Sequence, residues 1–317
     1  MAERIIFHVD ANSAFLSWSA AYRVKVLGET TDLRDVPSVV AGEKASRHGI
    51  ILAKSMPAKK YGIQTGEPLF QALEKCPDLV VIPPDYSLYV EASRHFVQML
   101  RQFSPKVEQY SIDEAWVDMS GTQRLWGSPL TAAEQMRKRI NEELGFTVNI
   151  GISSNKLLAK MAGDFEKPNK VHTLFPEEME EKFFPLPVRD LFLVGAATER
   201  KLKFLGIYTI GDLANCDPSL VISKLGKNGA MLWTFANGKD QARVMPSGFI
   251  APIKSVGHGT TCVVDLESPY QIWLVLYELA QDVGHRLRKN ELLARGVQIT
   301  VKDKDLDYRQ YQIPLKY

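Results

Sequence analysis

Short apolar runs of strand length alternate with longer segments of helical periodicity along the first half of the chain. The β-branched run from Ile5 to Val9 predicts a strand, and the segment from Ser13 to Val26 places its apolar residues at helical spacing. The same criteria predict strands at 39–41, 50–53, 79–82 and 146–152, a hairpin across 107–118, and helices at 57–63, 68–76, 86–103, 131–144 and 155–165. Helices interspersed among a few strands indicate an α+β fold of the ferredoxin-like kind.

The second half of the chain changes character at about residue 185. Short helical pieces punctuated by glycine run from 185 to about 243 and predict a helical module. Pro246, Ser247 and Gly248 form a predicted linker. Beyond it, the pattern predicts a smaller α/β module with strands at 255–264, 295–301 and 308–315 and a helix at 269–289. A chain of this length is expected to hold several modules.

Composition narrows the class of protein without identifying it. The 317 residues are 45% hydrophobic and 24% charged, and the net charge of +2 is too small to indicate nucleic-acid binding by itself. Three cysteines without C-x-x-C spacing argue against a zinc site or a disulfide framework. We expect a cytoplasmic location without membrane contact, because no signal-peptide pattern precedes Ile5 and no run approaches about 18 apolar residues.

Candidate chemistry first appears at two adjacent carboxylates, Asp113 and Glu114, inside an apolar, strand-like run. Neighbouring residues on a regular strand point to opposite faces, so these two can serve one site only if the chain bends there, as at the mouth of a hairpin. Taken alone, the pair is most simply a polar turn between Val107 and Val117.

A further carboxylate changes that interpretation. Asp10 ends the first apolar strand, and a helical pattern begins directly after it. Two strands that each deliver a carboxylate to one sheet edge would make an all-oxygen site of the kind that Mg²⁺ prefers, with room for substrate phosphates. Two metals about 3.5–4 Å apart suit in-line displacement at phosphorus. Phosphoryl or nucleotidyl transfer is therefore the first chemical hypothesis.

Four motifs occur in an order and spacing that resemble the Y-family translesion DNA polymerases, of the impB/mucB/samB type and the bacterial polymerase IV/V branch. These motifs are Val9–Phe15, Tyr110–Glu114, Gly151–Lys156 and Lys167–Asn169. The resemblance runs from about Ile5 to the C-terminus. It implies an enzyme that adds deoxynucleotides to a primer 3′ end in translesion synthesis, within DNA repair and the SOS response to DNA damage.

The resemblance also implies a domain organisation. A ferredoxin-like palm is expected at 1–35 and 85–184, small fingers at 36–84, a helical thumb of helix-hairpin-helix type at 185–243, and a partial α/β little finger at 244–317. The little finger of this family ordinarily continues with another helix and strand. We therefore expect a C-terminally truncated chain.

The catalytic residues implied by the resemblance are Asp10, Asp113 and Glu114. These carboxylates are expected to hold two Mg²⁺ ions, with Mn²⁺ as an alternative. The backbone carbonyl of Ala11 is expected to add a further metal ligand.

The resemblance implies a nucleotide site formed by Asn12, Ser13, Ala14, Phe15, Lys59 and Lys167. Phe15 is the expected steric gate, an aromatic ring beneath the incoming sugar that leaves no volume for a 2′-hydroxyl, although a core aromatic residue fits the same position.

Lys59 and Lys167 are expected to contact the triphosphate, and Pro168 is expected to stop the helix before it and so fix where Lys167 projects. A solvated face remains an alternative for Lys59. It is equally an alternative for Lys156 and Lys160, which share one face of their helix.

One residue of the fingers departs from the family pattern. Met56 stands where many relatives have a tyrosine that hydrogen-bonds the phosphates. The grip on the nucleotide from that side is therefore expected to differ.

Expected DNA contacts fall in the last two modules. The segment Leu193–Leu202 resembles a helix-hairpin-helix, in which backbone amides hold a DNA phosphate, although a small helical packing module is an alternative. Leu193 departs from the family pattern, which has the first glycine of the hairpin there. The expected DNA-binding residues are Gly195, Arg200, Lys201, Lys203, Arg286, Arg288 and Arg295.

The implied partners are primer-template DNA and deoxynucleoside triphosphates, bound by a monomer. A sliding clamp is a further expected partner, through a C-terminal tail beyond Tyr317. Two other functions stay open. One is a catalytically weak DNA-binding scaffold, and the other is a two-metal nucleotide cyclase, which the same kind of core can support.

Overall fold

The computed structural model describes residues 4–42, 49–249 and 251–316, so part of the predicted fingers, residues 43–48, lies outside the described residues. The described chain divides into two units. The first comprises residues 4–41 and 50–249, and the second comprises residues 251–316 together with Gly42 and Gly49.

The strands of the two units are short, as the apolar runs predict. They are β1 (Ile6–Ala11), β2 (Ser38–Ala41), β3 (Ile51–Lys54), β4 (Val80–Ile82), β5 (Val107–Gln109), β6 (Glu114–Asp118), β7 (Val148–Ser153), β8 (Val171–Thr173), β9 (Gly296–Lys302) and β10 (Tyr308–Pro314).

The helices range from one turn to about six turns. They are α1 (Ala14–Lys25), α2 (Met56–Lys60), α3 (Leu69–Lys75), α4 (Tyr86–Arg101), α5 (Gln123–Trp126), α6 (Pro129–Arg139), α7 (Lys156–Gly163), α8 (Met179–Lys182), α9 (Ala196–Phe204), α10 (Ile210–Asn215), α11 (Pro218–Leu225), α12 (Lys227–Ala236) and α13 (Pro269–Lys289).

A five-stranded sheet in the order β5-β6-β1-β7-β8 forms the centre of the first unit. β1 lies in the middle and runs antiparallel to both β6 and β7. Successive side chains of a strand point to opposite faces. Phe7 and Val9 accordingly join the large core beneath α1, α4 and α6, whereas Ile6 packs with Ala159 of α7 on the other face. This double burial explains why β1 reads as a continuous apolar run.

A second sheet of the first unit has the order β3-β2-β4, with β2 antiparallel to β3 and parallel to β4. Its apolar face packs against α2 and α3 through a small separate core that includes Val39, Ile51 and Ala72. Ser55 begins α2 because its side-chain oxygen accepts a hydrogen bond from the backbone N–H of Ala58, at 3.1 Å.

The helices α8 to α12 pack around a third apolar cluster in the first unit. Phe183, Leu202 and Leu213 are fully buried in it, together with Leu158 of α7. α7 therefore contributes to the central sheet on one side and to this helical module on the other.

The second unit consists mainly of α13 and the β9–β10 hairpin. No side chain of residues 251–316 is buried. The strand predicted at 255–264 is wrong, because no strand forms over those residues in the described structure. None of the helices described is both long enough and apolar enough to cross a bilayer.

The contact between β7 and α7 is unusually close and depends on Gly151. A Cβ atom added there would lie 1.9 Å from the carbonyl oxygen of Ala159 and 2.4 Å from the amide nitrogen of Gly163. Both atoms are backbone, so neither can rotate away. The glycine therefore sets how near α7 lies to the central sheet.

We predict that Gly151→Ala destabilises the first unit by about 2–4 kcal/mol, because the new methyl group forces the helix away from the sheet. The midpoint of urea unfolding followed by tryptophan fluorescence measures this loss. Gly257→Ala is the matched control, since a Cβ atom there meets nothing within 4 Å and its backbone is not in the left-handed region. Equal midpoints for the two variants would contradict the prediction.

Candidate active site

The strand register brings the predicted carboxylates together at one end of the central sheet. Asp10 lies directly opposite Glu114 in the antiparallel pair of β1 and β6. The backbone N–H of Ala11 donates to the carbonyl of Asp113 at 3.0 Å, so the turn before β6 closes against the end of β1. These side chains line one cavity of about 490 Å³.

The bend that the sequence requires at Asp113 and Glu114 lies in the turn between β5 and β6. Asp113 precedes the first residue of β6, and its Oδ1 accepts a hydrogen bond from Ser111 Oγ at 2.6 Å. The carbonyl of Glu114 accepts from the backbone N–H of Tyr110 at 3.0 Å. Because Asp113 is outside the regular strand, both carboxylates can face the same cavity.

Lys167 compensates the mostly buried carboxylate of Asp10. Its Nζ contacts Asp10 Oδ2 and lies 2.8 Å from Asp164 Oδ1. Burial raises the pKa of Asp10, and the charge and hydrogen bond of Lys167 oppose that shift. Burial lowers the pKa of Lys167, but the charges of Asp10 and Asp164 outweigh burial and raise it. The ammonium is therefore held as a cation between two carboxylates.

The sequence pattern predicts that Lys167 projects from a helix that Pro168 stops, but the structure differs. α7 ends at Gly163, and Pro168 lies in the loop that follows. That loop is held by Asn12, whose Oδ1 accepts from the backbone N–H of Asn169 at 2.9 Å. The buried Asn12 amide also donates to Asn149 Oδ1 at 3.1 Å. Asn12 thus fixes the lysine-bearing loop to the central sheet.

Glu114 is compensated by two different groups, both at its Oε2 atom. Lys160 Nζ lies at 2.7 Å and His8 Nε2 at 3.3 Å. Burial raises the pKa of Glu114, but these hydrogen bonds outweigh burial and lower it to about 2. Burial lowers the pKa of His8, so the neutral ring must carry its proton on Nε2 to donate to Glu114.

Lys160 and Lys156 are buried, so the solvated-face alternative for these two lysines is wrong. Lys156 Nζ pairs with Glu108 at 2.7 Å and lies 4.1 Å from the ring centre of Trp116. Lys160 Nζ lies over the ring of Phe192, at 5.4 Å from its centre. The carboxylates at positions 108 and 114 and the (i, i+4) spacing of the lysines were visible in the sequence, but their pairing required the fold.

Phe15 lines the cavity and is also packed from behind. Its ring stacks on that of Tyr89 with centres 4.5 Å apart and planes 12° apart, and Tyr86 contacts it edge-on. Tyr89 is fully buried and shares a 3.1 Å hydrogen bond with Ser19. Nothing in a single sequence shows which aromatic ring supports Phe15, so this role of Tyr89 is visible only in the fold.

The remaining nucleotide-site predictions fall at the same cavity. Ser13 and Ala14 line it where the chain passes from β1 into α1, and Ser13 adopts a left-handed backbone with φ 47°. Lys59 of α2 also lines the cavity, with Met56. The sequence did not indicate five further lining residues from this part of the chain, which are Leu52, Ala53, Lys54, Ser55 and Thr65.

None of the predicted DNA-binding residues is among the described residues that line the cavity. Gly195 begins α9, where Arg200, Lys201 and Lys203 are exposed, and Lys203 pairs with Glu199 at 2.8 Å. Leu193 has a φ of 70°, a conformation that favours glycine, so the substitution in the hairpin keeps the left-handed backbone. The other three residues, Arg286, Arg288 and Arg295, belong to the second unit, where Arg286 pairs with Asp282 at 2.9 Å.

The donor set of the cavity fits a hard divalent cation. It consists of carboxylate oxygens together with the backbone of Ala11, and neither cysteine nor histidine is among the described lining residues. No three His, Cys, Asp or Glu side chains within the described residues are already clustered as a metal site. Asp10 and Glu114 are each paired with a lysine instead.

The chain matches known proteins over nearly its whole length. Residues 9–164 match the impB/mucB/samB family, and residues 253–317 match the C-terminal domain of that family. A protein named DNA polymerase IV from Clostridium acetobutylicum is 44% identical over 313 residues, which cover 99% of this chain and 78% of that protein. Another protein of that name, from Acetivibrio thermocellus, is 39% identical over 313 residues, which cover 99% of this chain and 77% of that protein.

A solved structure of a Y-family DNA polymerase chimera superposes with a TM-score of 0.82 at 23% identity, covering 99% of this chain and 88% of that chain. This match confirms the α+β multidomain fold predicted from the sequence. Together with the relatives of 39–44% identity, it also confirms the predicted family. The chain belongs to the impB/mucB/samB family, a family of Y-family DNA polymerases.

Proposed function

We propose that this chain is a DNA-templated DNA polymerase that adds deoxynucleotides to a primer 3′ end in translesion synthesis. The observation that carries the proposal is a single cavity lined both by Asp10, Asp113 and Glu114 and by Lys59 and Lys167. Carboxylates and lysines that line one cavity suit a triphosphate that must bind metal and lose its pyrophosphate.

We further propose that Asp10, Asp113 and the backbone carbonyl of Ala11 hold Mg²⁺ ions, with Glu114 as the third carboxylate ligand. Two divalent cations held by these residues would supply activation of the primer 3′-hydroxyl and stabilisation of the charge on the leaving pyrophosphate. Lys160 and His8 hold Glu114 in its ionised form and in a fixed position, because both donate to the same oxygen.

Lys167 is proposed to pair with the Asp10 carboxylate first and with the triphosphate once the metal ions are bound. In the structure its ammonium compensates Asp10 and Asp164. A cation bound at Asp10 would replace that compensation, and Lys167 would then be available to the β- and γ-phosphates. Its half-exposed side chain, 38% accessible, leaves it room to change partner.

Phe15 is proposed to select the sugar of the incoming nucleotide. Tyr89 stacks directly behind its ring, so the ring cannot retreat to accommodate a 2′-hydroxyl. Rejection by a rigid apolar wall depends on volume rather than on a hydrogen bond.

The first prediction concerns the carboxylates. Asp113→Asn should lower primer extension by at least about 10³-fold, because the site loses a charge that acts on the reacting atoms. Binding of primer-template DNA, followed by fluorescence anisotropy, should change less than about twofold.

Asp118→Asn is the matched control for Asp113→Asn. Asp118 lies at the far end of β6, where its carboxylate pairs with the exposed Lys106 and does not line the cavity. If Asp113→Asn extends primers as well as Asp118→Asn does, the catalytic assignment is wrong. If the wild type binds DNA but never extends a primer, the chain is a DNA-binding scaffold. Turnover of nucleotide in the absence of DNA would indicate a cyclase.

A second prediction concerns the metal. Primer extension should stop when EDTA exceeds the divalent cation and should return on addition of excess Mg²⁺ or Mn²⁺, because the donors are all oxygen. The measurement is the initial rate of extension on an undamaged primer-template. Extension that persists in excess EDTA would rule out the metal proposal, while addition of NaCl at equal ionic strength controls for salt effects on DNA binding.

A third prediction concerns sugar selection. Phe15→Ala should raise the incorporation of ribonucleotides relative to deoxynucleotides by about 10- to 100-fold in kcat/KM, because volume opens beneath the sugar. Phe70→Ala is the control, since Phe70 is exposed on α3 and does not line the cavity. Unchanged sugar discrimination in Phe15→Ala would remove the steric-gate assignment.

A further inference from the structure

A lysine that the family resemblance does not assign lies at the same cavity. In β3, Ile51 and Ala53 are buried, whereas Leu52 and Lys54 are partly exposed. The cavity is lined by the consecutive residues Leu52, Ala53, Lys54 and Ser55, at the end of β3 and the start of α2. Lys54 is the charged residue of this stretch.

The charge of Lys54 is left without an acidic partner. Within the described residues, neither Lys54 nor Lys59 has a carboxylate at ion-pair distance. Glu67, whose negative charge raises the pKa of Lys54, forms its ion pair with Lys75 at 2.6 Å. Burial lowers the pKa of Lys54, and the positive charge of Lys59 lowers it further. Two lysines that repel one another on one wall indicate a place for an anion.

One hydrogen bond orients the ammonium of Lys54 and uses one of its three donors. Its Nζ donates to the backbone carbonyl of Ile63 at 2.6 Å. An ammonium has three donors, so two N–H groups remain for a ligand. A tether of this kind reduces the side-chain freedom that is lost when a ligand binds.

Met56, the first residue of α2, provides no hydrogen-bond donor from its side chain to the cavity. Met56 is 47% exposed at the start of α2 and lines the cavity, but a thioether cannot donate a hydrogen bond to a phosphate. Lys54 lies two positions before it, on the adjoining strand end.

We propose that Lys54 binds the triphosphate of the incoming deoxynucleotide together with Lys59 and supplies the hydrogen-bond donor that Met56 lacks. This inference rests on the proposed polymerase function, which defines the triphosphate as the ligand. It adds a binding residue for the substrate and leaves the catalytic carboxylates unchanged.

Lys54→Gln tests the proposal, because it keeps a polar side chain, one atom shorter, and removes the charge. On a primer-template, we expect KM for the deoxynucleotide to rise about tenfold while kcat changes less than about twofold. Lys54→Arg should keep KM within about threefold of the wild type, since the positive charge and donors remain. Lys60→Gln is the matched control, because Lys60 is an exposed lysine of the same helix as Lys59 and does not line the cavity.

A binding measurement separates this inference from the function on which it rests. Calorimetric binding of tripolyphosphate to the full chain requires no turnover, and Lys54→Gln should weaken it about tenfold relative to Lys60→Gln. Equal tripolyphosphate binding by Lys54→Gln and the wild type, at unchanged thermal midpoints, would overturn the inference. Lys54-dependent tripolyphosphate binding by a chain that extends no primer would support the phosphate site and overturn the polymerase proposal instead.

Discussion

The structure depends on compensation of the negative charges of Asp10 and Glu114, which lie at the cavity end of the central sheet. Asp10 and Glu114 face each other across β1 and β6, and their side chains are only 13% and 20% accessible. A buried charge without a partner is strongly destabilising. Each carboxylate therefore has its own lysine, Lys167 for Asp10 and Lys160 for Glu114. The site can exist only because the fold delivers these cations.

The close approach of α7 to the sheet is what delivers them. Gly151 allows the helix backbone to lie against β7, and Lys160 then reaches Glu114 from one turn of α7. The chain continues past Gly163 to Lys167, which returns to Asp10. A single packing contact between a glycine in a strand and a helix thus positions the counter-charges of two carboxylates. Loss of that contact would affect stability and electrostatics together.

Strand and helix periodicity predicted most of the first unit because its elements bury continuous apolar faces. β1, the hairpin of β5 and β6, and α4 all lie where the pattern places them, within the uncertainty of their ends. β8 was missed because its three residues are all partly exposed and carry no burial pattern. The strand predicted at 255–264 failed for a related reason, since a β-branched run forms a strand only where it finds a pairing partner.

The carboxylates of the candidate site could be predicted from the sequence, but most of its lysines could not. Carboxylates inside apolar runs are conspicuous, because nothing in a core requires them. A lysine gives no such signal, since most lysines are solvated. The burial of Lys160 and the position of Lys54 on the cavity wall depend on contacts between elements far apart in sequence, which periodicity cannot show.

The two lysines that compensate the carboxylates differ in how freely they can change partner. Lys160 is 11% accessible, and the rings of Tyr110 and Phe192 lie beside its ammonium, so movement away from Glu114 would sacrifice several favourable contacts. Lys167 is 38% accessible and bridges two carboxylates at the mouth of a loop. Exchange of partners costs least where the cation is already solvated and shared. The geometry therefore favours a fixed Lys160 that keeps Glu114 in place and a Lys167 that exchanges partners more readily.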